Sequence, residues 1–246
     1  MEAIENAEEL LQKSSEWHEV RKGKLTSSEH YRLVAEAKRP MTEEELKARP
    51  KGVTAKLIAE DHLLADGAIT YIEEVIGEIL TGRSADPEYH SKEREHGVFD
   101  EPQARKMYER VTGNKVHEVG IRTYSKYVAG SPDGLVEESG GTEFKCPYTD
   151  HNHVKNLRLA NWQELKKERK EAYWQCISGM LINKRSWWDY ISFSPFFPMK
   201  TCIKIIRIER EEVMEDLRLL AIKLKAAEKM IDEILADLSE QEELPW

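Results

Sequence analysis

Apolar side chains recur three and four positions apart through most of the first 112 residues, the period of an amphipathic helix. Ile4, Ala7, Leu10 and Leu11 predict a helix over residues 2–13. The run Thr26-Ser27-Ser28-Glu29 reads as a second helix start, with a hydroxyl cap and an acid in the first turn, and Pro40 marks its end. Thr42 with Glu45 fits a capping box. Behind it Leu57, Ile58, Leu63, Leu64, Ile72, Val75, Ile76 and Ile79 predict two or three helices closed by Thr81-Gly82. A polar stretch, RSADPEYHSKERE, leads to a helix at about 97–112 that stops at Gly113-Asn114. The period then drops to two. KVHEVGIRTYSKYVAG, DGLVEE and TEFKC read as short strands, the last two joined by a turn at Ser139-Gly140-Gly141. A helix follows at about 164–183, then strands at 187–193 and 201–208. A final helix covers about 210–238, with Val213, Leu217, Leu220, Leu224, Ile231 and Leu235 on one face. This order implies an α/β (α+β) fold, a central mixed sheet flanked by helices. We read one domain over 1–246: a mainly helical portion at 1–96, a core at 97–209, and a C-terminal helix with an acidic tail at 210–246.

Composition narrows the class. No apolar run approaches the 20 or so residues that span a bilayer, and the acidic N-terminus lacks the pattern of a signal peptide. Cys146, Cys176 and Cys202 are isolated, which argues against a zinc ribbon, a four-cysteine cluster or a disulfide framework and points to a reducing, cytoplasmic setting. The formal charge is −9, at first sight unfavourable for binding nucleic acid. It divides unevenly: residues 1–144 carry −9, residues 145–207 carry +7 and residues 208–246 carry −7. A basic middle third is embedded in an acidic chain.

The chemistry-bearing stretch is Gly130-Ser131-Pro132-Asp133-Gly134-Leu135 followed by Glu143-Phe144-Lys145. On a strand, residues 143 and 145 share a face while Phe144 turns to the other. With Asp133 opening the neighbouring strand, two carboxylates and an ammonium converge. Two hard oxygen donors with room for water suit Mg²⁺ or Mn²⁺. Such an ion activates water and offsets charge on a phosphodiester, while Lys145 orients the nucleophile or stabilises the transition state. Taken singly, each piece has an ordinary reading: Glu-x-Lys is commonly a solvated strand face and Pro-Asp-Gly a common turn.

Separated motifs add to it: Trp17-His18-Glu19-Val20-Arg21-Lys22-Gly23 with Thr26 and Ser28, then Gly97, Glu101 and Ala104, then Ser131-Pro132-Asp133-Gly134-Leu135, then Glu143-Phe144-Lys145-Cys146-Pro147, and Gln175 on a helix. In order and spacing the chain resembles the lambda-exonuclease, or YqaJ-type, viral recombination nucleases of the PD-(D/E)xK superfamily. The resemblance implies a two-metal core with Glu101, Asp133, Glu143 and the Phe144 backbone carbonyl as ligands, Lys145 assisting the water and Gln175 supporting the site. It also implies a 5′-phosphate grip by Arg21, Ser28 and Ser131, Arg being suited to bidentate phosphate binding. Glu101 also reads as a first-turn helix acid, Gln175 as a core amide and Arg21 as a surface cation. Two positions depart from the pattern. His151 stands where the relative has a fourth phosphate-binding arginine, with Lys155 close by as a substitute. The apolar residue that parts the strands aligns with Arg94, in a polar stretch.

The basic middle third then acquires a role. Lys155, Arg158, Lys166, Lys167, Arg169 and Lys170 can follow a DNA backbone, the competing reading being a solvated helix face paired with Glu164, Glu168 and Glu171. Trp174 and the pair Trp187-Trp188 read as packing residues, and His151-Asn152-His153 as loop. The expected activity is Mg²⁺-dependent 5′→3′ exonuclease action on double-stranded DNA ends, releasing 5′-mononucleotides and leaving 3′ single-stranded tails. A homotrimeric ring and a single-strand annealing partner are implied with it. The alternatives are a structure-specific or nicking DNA endonuclease on the same core, and a non-catalytic DNA-binding module.

Overall fold

The structure, a computed structural model, describes residues 15–50, 54, 56–84 and 92–240; the helix expected over 2–13 lies outside them. Helix α1 (Ser15–Arg21) leads into β1 (Leu25–Thr26). The helix expected from Thr26 to Pro40 does not form. Leu25 and Thr26 pair in parallel with Val128 and Ala129, and this tertiary pairing overrides the local start signal. Only a single 3-10 turn, His30–Arg32, follows. Lys38–Pro40 is a short strand, β2, paired antiparallel with β3 (Leu57–Ala59). Leu57 and Ile58 therefore belong to a strand, not to a helical stripe. The predicted capping box of Thr42 and Glu45 is present at the start of α2 (Glu43–Ala48). Helix α3 (Asp66–Thr81) buries Ala68, Tyr71, Ile72, Val75 and Ile76 and ends on Gly82 in the left-handed conformation.

Helix α4 (Lys92–Thr112) begins earlier than its apolar pattern suggests, so Glu101 sits mid-helix and Pro102 lies inside it. Five strands form the main sheet in the order β10-β9-β8-β7-β4. These are β4 (Val116–His117), β7 (Gly134–Val136), β8 (Gly140–Lys145), β9 (Trp187–Phe193) and β10 (Ile203–Glu209). Only the β8–β9 pairing is parallel. A second sheet joins β1 to β6 (Val128–Gly130) and β5 (Arg122–Thr123). The sheets are mixed, as the element order implied. Gly140 and Gly141 are not turn residues: they open β8, and the turn lies before them, with Glu137 at φ +47°. Their role is space, because a Cβ at either would run into Trp187 or Trp188 on β9.

Between β8 and β9 three helices form where the pattern suggested one. Helix α5 (Asp150–Leu157) contains the predicted loop His151–His153. His153 is fully buried, with its ring nitrogens 3.0 Å from Ser192 Oγ and 2.9 Å from the Thr201 carbonyl oxygen. The expected helix over 164–183 is broken at Arg169 into α6 (Trp162–Glu168) and α7 (Lys170–Ile182). The side chain of Arg169 is drawn back to Asn156 Oδ1, which its Nε contacts at 2.7 Å. Helix α8 (Met214–Ser239) closes the chain much as expected.

Strand periodicity builds two cores. Leu135, Trp188, Tyr190, Ile206 and Ile208 join α3, α7 and α8 in the larger one. Val136, Phe144, Ile191 and Phe193 join Ala104 and Tyr108 of α4 in the smaller. Helix α7 lies in the larger core and is buried at every position from Tyr173 to Ile182 except Gln175. Lys223 of α8 is buried too, its ammonium donating to the carbonyls of Ala35 (3.1 Å) and Leu63 and so tying the β2–β3 region to the final helix.

Candidate active site

Phe144 enters the smaller core, where its ring meets Tyr108 edge-on at 6.0 Å. The alternation of a strand then sends Glu143 and Lys145 to the face covered by α7. Glu143 is 2% exposed. Lys145 Nζ lies 2.7 Å from Glu143 Oε1 and donates to Gln175 Oε1 at 2.9 Å. Gln175 thus breaks the apolar run of α7 for a reason: it is a polar partner for a half-buried ammonium. Asp133, between β6 and β7, accepts the Phe144 backbone N–H on Oδ2 at 2.7 Å. Asp133, Glu143, Lys145 and Gln175 therefore meet in one place.

The electrostatics show surplus negative charge. Burial, then Glu143 and Glu101, push Asp133 well above the usual carboxylate range, against a smaller opposing effect of Lys145. Burial pulls Lys145 down, but Glu143 and Asp133 outweigh it and hold the ammonium above its ordinary pKa. Glu101 belongs to this field from α4, where Arg105 also pairs with it at 3.2 Å. Cys146 is pushed up to about 12 by burial and then by Asp100, Glu101 and Asp133, so its thiol is protonated at neutral pH.

Asp100 is the acid that sequence reasoning missed. It is 2% exposed and accepts from Gln103 Nε2 at 3.4 Å. Its signal was available: Asp100, Ala104 and Tyr108 form an i, i+4, i+8 stripe, which places a carboxylate on the buried face of α4.

Hard carboxylate oxygens that raise the cost of one another's ionisation are the donor chemistry a divalent cation suits. Among the described residues, though, no three His, Cys, Asp or Glu side chains stand in an arrangement that could hold a metal ion. In this arrangement the carboxylates of Asp133 and Glu143 are engaged by a backbone N–H and an ammonium respectively.

A second group lies at the ends of β1 and β6. Trp17 Nε1 donates to Ser131 Oγ at 3.0 Å, and the Arg21 guanidinium stacks on the Trp17 ring at 4.2 Å. Trp17 therefore joins two of the predicted phosphate-binding residues. Ser28 Oγ lies 3.4 Å from Thr26 Oγ1 in the turn after β1. The remaining members stand on a separate element: His151 and Lys155 are exposed on α5 and Arg158 caps its C-terminus. The side chain of Arg94 lies outside the described residues.

The family of YqaJ-like viral recombinase domains matches residues 44–186, more than half of the chain. The chain belongs to that family. No curated protein matches it. Among solved structures it is similar to an alkaline exonuclease, LHK-Exo, from Laribacter hongkongensis, at 25% identity and a TM-score of 0.65 over 92% of this chain and 99% of that one. The same exonuclease in complex with dAMP aligns at 26% identity, again with a TM-score of 0.65 and the same coverage. A phage-related exonuclease from Haemophilus somnus 129PT shares the fold at 17% identity, with a TM-score of 0.64 over 87% and 96% of the two chains. Membership in this lambda-exonuclease-like group agrees with the resemblance read from the motifs.

The basic run of the middle third divides on inspection. Lys166 donates to both oxygens of Asp216, at 2.8 and 2.7 Å, and Lys167 pairs with Glu168 at 3.3 Å. Arg169 is drawn to Asn156. These three contribute to packing and surface pairing, which leaves Lys155, Arg158 and Lys170 as the members of the run best suited to a polyanion.

Proposed function

We propose that this YqaJ-family chain is a metal-dependent exodeoxyribonuclease. It loads on double-stranded DNA ends, hydrolyses one strand 5′→3′ to 5′-mononucleotides and leaves a 3′ single-stranded tail for recombination. The observation that carries this is the meeting of Asp133 from a loop, Glu143 and Lys145 from β8 and Gln175 from α7 in one charged cluster. The similar exonuclease from Laribacter hongkongensis, solved with the deoxynucleoside monophosphate dAMP, supports it.

In this reading Asp133, Glu143, Glu101 and the Phe144 carbonyl would hold Mg²⁺ or Mn²⁺, two ions in all. Bound there, the ions would lower the pKa of water and offset charge on the phosphodiester. Lys145, kept protonated by its carboxylate neighbours, positions the attacking water or stabilises the developing negative charge. Gln175 fixes the direction of that ammonium through its amide oxygen. Arg21, Ser28 and Ser131 receive the 5′-phosphate, with His151, Lys155 and Arg158 along the departing backbone. Trp17 orients Arg21 and Ser131 together. The PD-(D/E)xK core, a single nuclease domain, a homotrimeric ring and an annealing partner belong to the same proposal.

Digestion of linear duplexes bearing a 5′-phosphate or a 5′-hydroxyl, with and without Mg²⁺, is the test. We expect Mg²⁺-dependent release of mononucleotides from the phosphorylated strand. Cleavage of closed circular DNA would instead make the chain an endonuclease.

A further inference from the structure

A buried polar chain lies behind the candidate site and plays no part in the chemistry above. His30, fully buried in the turn after β1, has Nδ1 2.8 Å from Ser178 Oγ on α7. Ser178, also fully buried, donates to Ser27 Oγ at 2.9 Å. With the Ser178 proton committed to Ser27, the ring nitrogen is the donor and the chain runs His30 to Ser178 to Ser27 in one sense. Ser27 in turn packs where a side chain on Gly130 would stand, so only glycine permits this approach.

Each end of this chain touches an element of the site. Ser27 precedes Ser28 and lies against Gly130, the residue before Ser131. Ser178 is three residues after Gln175 on α7, on an adjacent helical position. Ser27, Ser131, Glu143 and Gln175 all line one small cavity. An imidazole and two hydroxyls in an apolar core each need a partner to offset desolvation, and this chain supplies one to each residue. Burial holds the ring down at about 4, so at neutral pH it is an uncharged hydrogen-bond partner.

We propose that His30 is a positioning residue: through Ser178 and Ser27 it sets the spacing between the end-gripping turn at Ser27–Ser28 and the helix that presents Gln175 to Lys145. It links recognition of the DNA end to placement of the ammonium, and it rests on the nuclease reading above. Its chemistry is neutral hydrogen bonding, so a neutral amide that mimics Nδ1–H replaces it.

The test compares wild type with His30→Leu, His30→Asn and Ser178→Ala on 5′-phosphorylated and 5′-hydroxyl duplexes, together with amide hydrogen exchange of the same proteins. His30→Leu and Ser178→Ala are expected to raise KM for the phosphorylated end about tenfold, the scale of one buried hydrogen bond, and to lower kcat by a smaller factor. They also speed exchange at 26–29 and 130–133 while the most protected core amides stay slow. His30→Asn restores both. Wild-type selectivity together with unchanged local exchange in His30→Leu and Ser178→Ala overturns the link. A wild-type protein that digests both ends equally overturns the end-gripping reading and the link's functional half with it, and the exchange pattern separates that result from failure of the polar chain alone.

Discussion

Two acidic sites lie on opposite faces of the same sheet, one register step apart, and they solve the problem of a buried carboxylate differently. Asp189 on β9 pairs across to Thr142 on β8, while Glu143, the next residue, pairs to Tyr190. Asp189 is 1% exposed and saturated: Arg207 donates through Nε and Nη2 at 2.8 Å each, and the Tyr108 hydroxyl donates at 2.7 Å. The guanidinium is further held over the Trp187 ring at 3.7 Å. On the other side Asp133 and Glu143 share the nearby Lys145, and Asp133 is driven well upward by burial and then by Glu143 and Glu101. The first arrangement is electrically closed and serves packing. In the second, repulsion among the acids pushes Asp133 upward although each has a partner, a state that costs stability and is expected where a cation or a reacting group is to be received.

The sharpest way to break this contrast is to remove a member of the open site. Lys145→Ala and Asp133→Ala should each lower the rate of Mg²⁺-dependent digestion by about 10³-fold, the scale of losing a preorganised charge, with duplex binding retained in a gel-shift assay. Activity near wild type in both would place the chemistry elsewhere. At the closed site Arg207→Leu should lower unfolding free energy by about 3 kcal/mol, because it strands Asp189, a figure at the low end since the Arg207 side chain is 42% exposed. Urea titration measures this, and activity per folded molecule should hold. If both fall together, the two faces are not independent.

A smaller effect concerns the cation itself. Mg²⁺ at tenfold excess over its Kd should stabilise the wild-type protein by about 1.4 kcal/mol, read as a rise in Tm that chelation reverses. Asp133→Asn should abolish that rise. In the absence of divalent ions the same substitution should add about 1 kcal/mol of stability at neutral pH. The sign follows from linkage: a carboxyl whose folded pKa is raised binds its proton more tightly folded than unfolded, so its contribution falls as pH rises from the unfolded value near 3.8 towards the folded one. The wild-type protein should thus lose stability across that window and Asp133→Asn should lose less, as thermal melts at a series of pH values would show. Equal slopes would mean that Asp133 is not the strained member.

What was legible in advance followed from short-range rules. The strand period placed Phe144 in a core and Glu143 with Lys145 on one face, and the shared motifs supplied Asp133 and Gln175 as their companions. The capping box at Thr42, the core positions of α3 and α8, and strands β9 and β10 were equally local. Errors arose where distant partners outweighed local preference. The Thr26–Glu29 start signal lost to pairing of β1 with β6. The paired glycines at 140 and 141, read as a turn, instead make room for Trp187 and Trp188. The His151–His153 segment became helix once His153 found Ser192 and Thr201.

By itself, then, the sequence determined the element types over most of the chain, the mixed α/β class and the family, because periodicity and motif order are properties of the chain alone. The tertiary structure decided that Asp100 and Glu101 of α4 meet Asp133 around Cys146, and that Asp189 is instead bound by Arg207 and Tyr108. It also decided that Lys166 and Arg169 contribute to packing, that Trp17 joins Arg21 to Ser131, and that His30 reaches α7. Those are distances between residues up to about 150 positions apart, fixed only when the sheet and helices close around a common core.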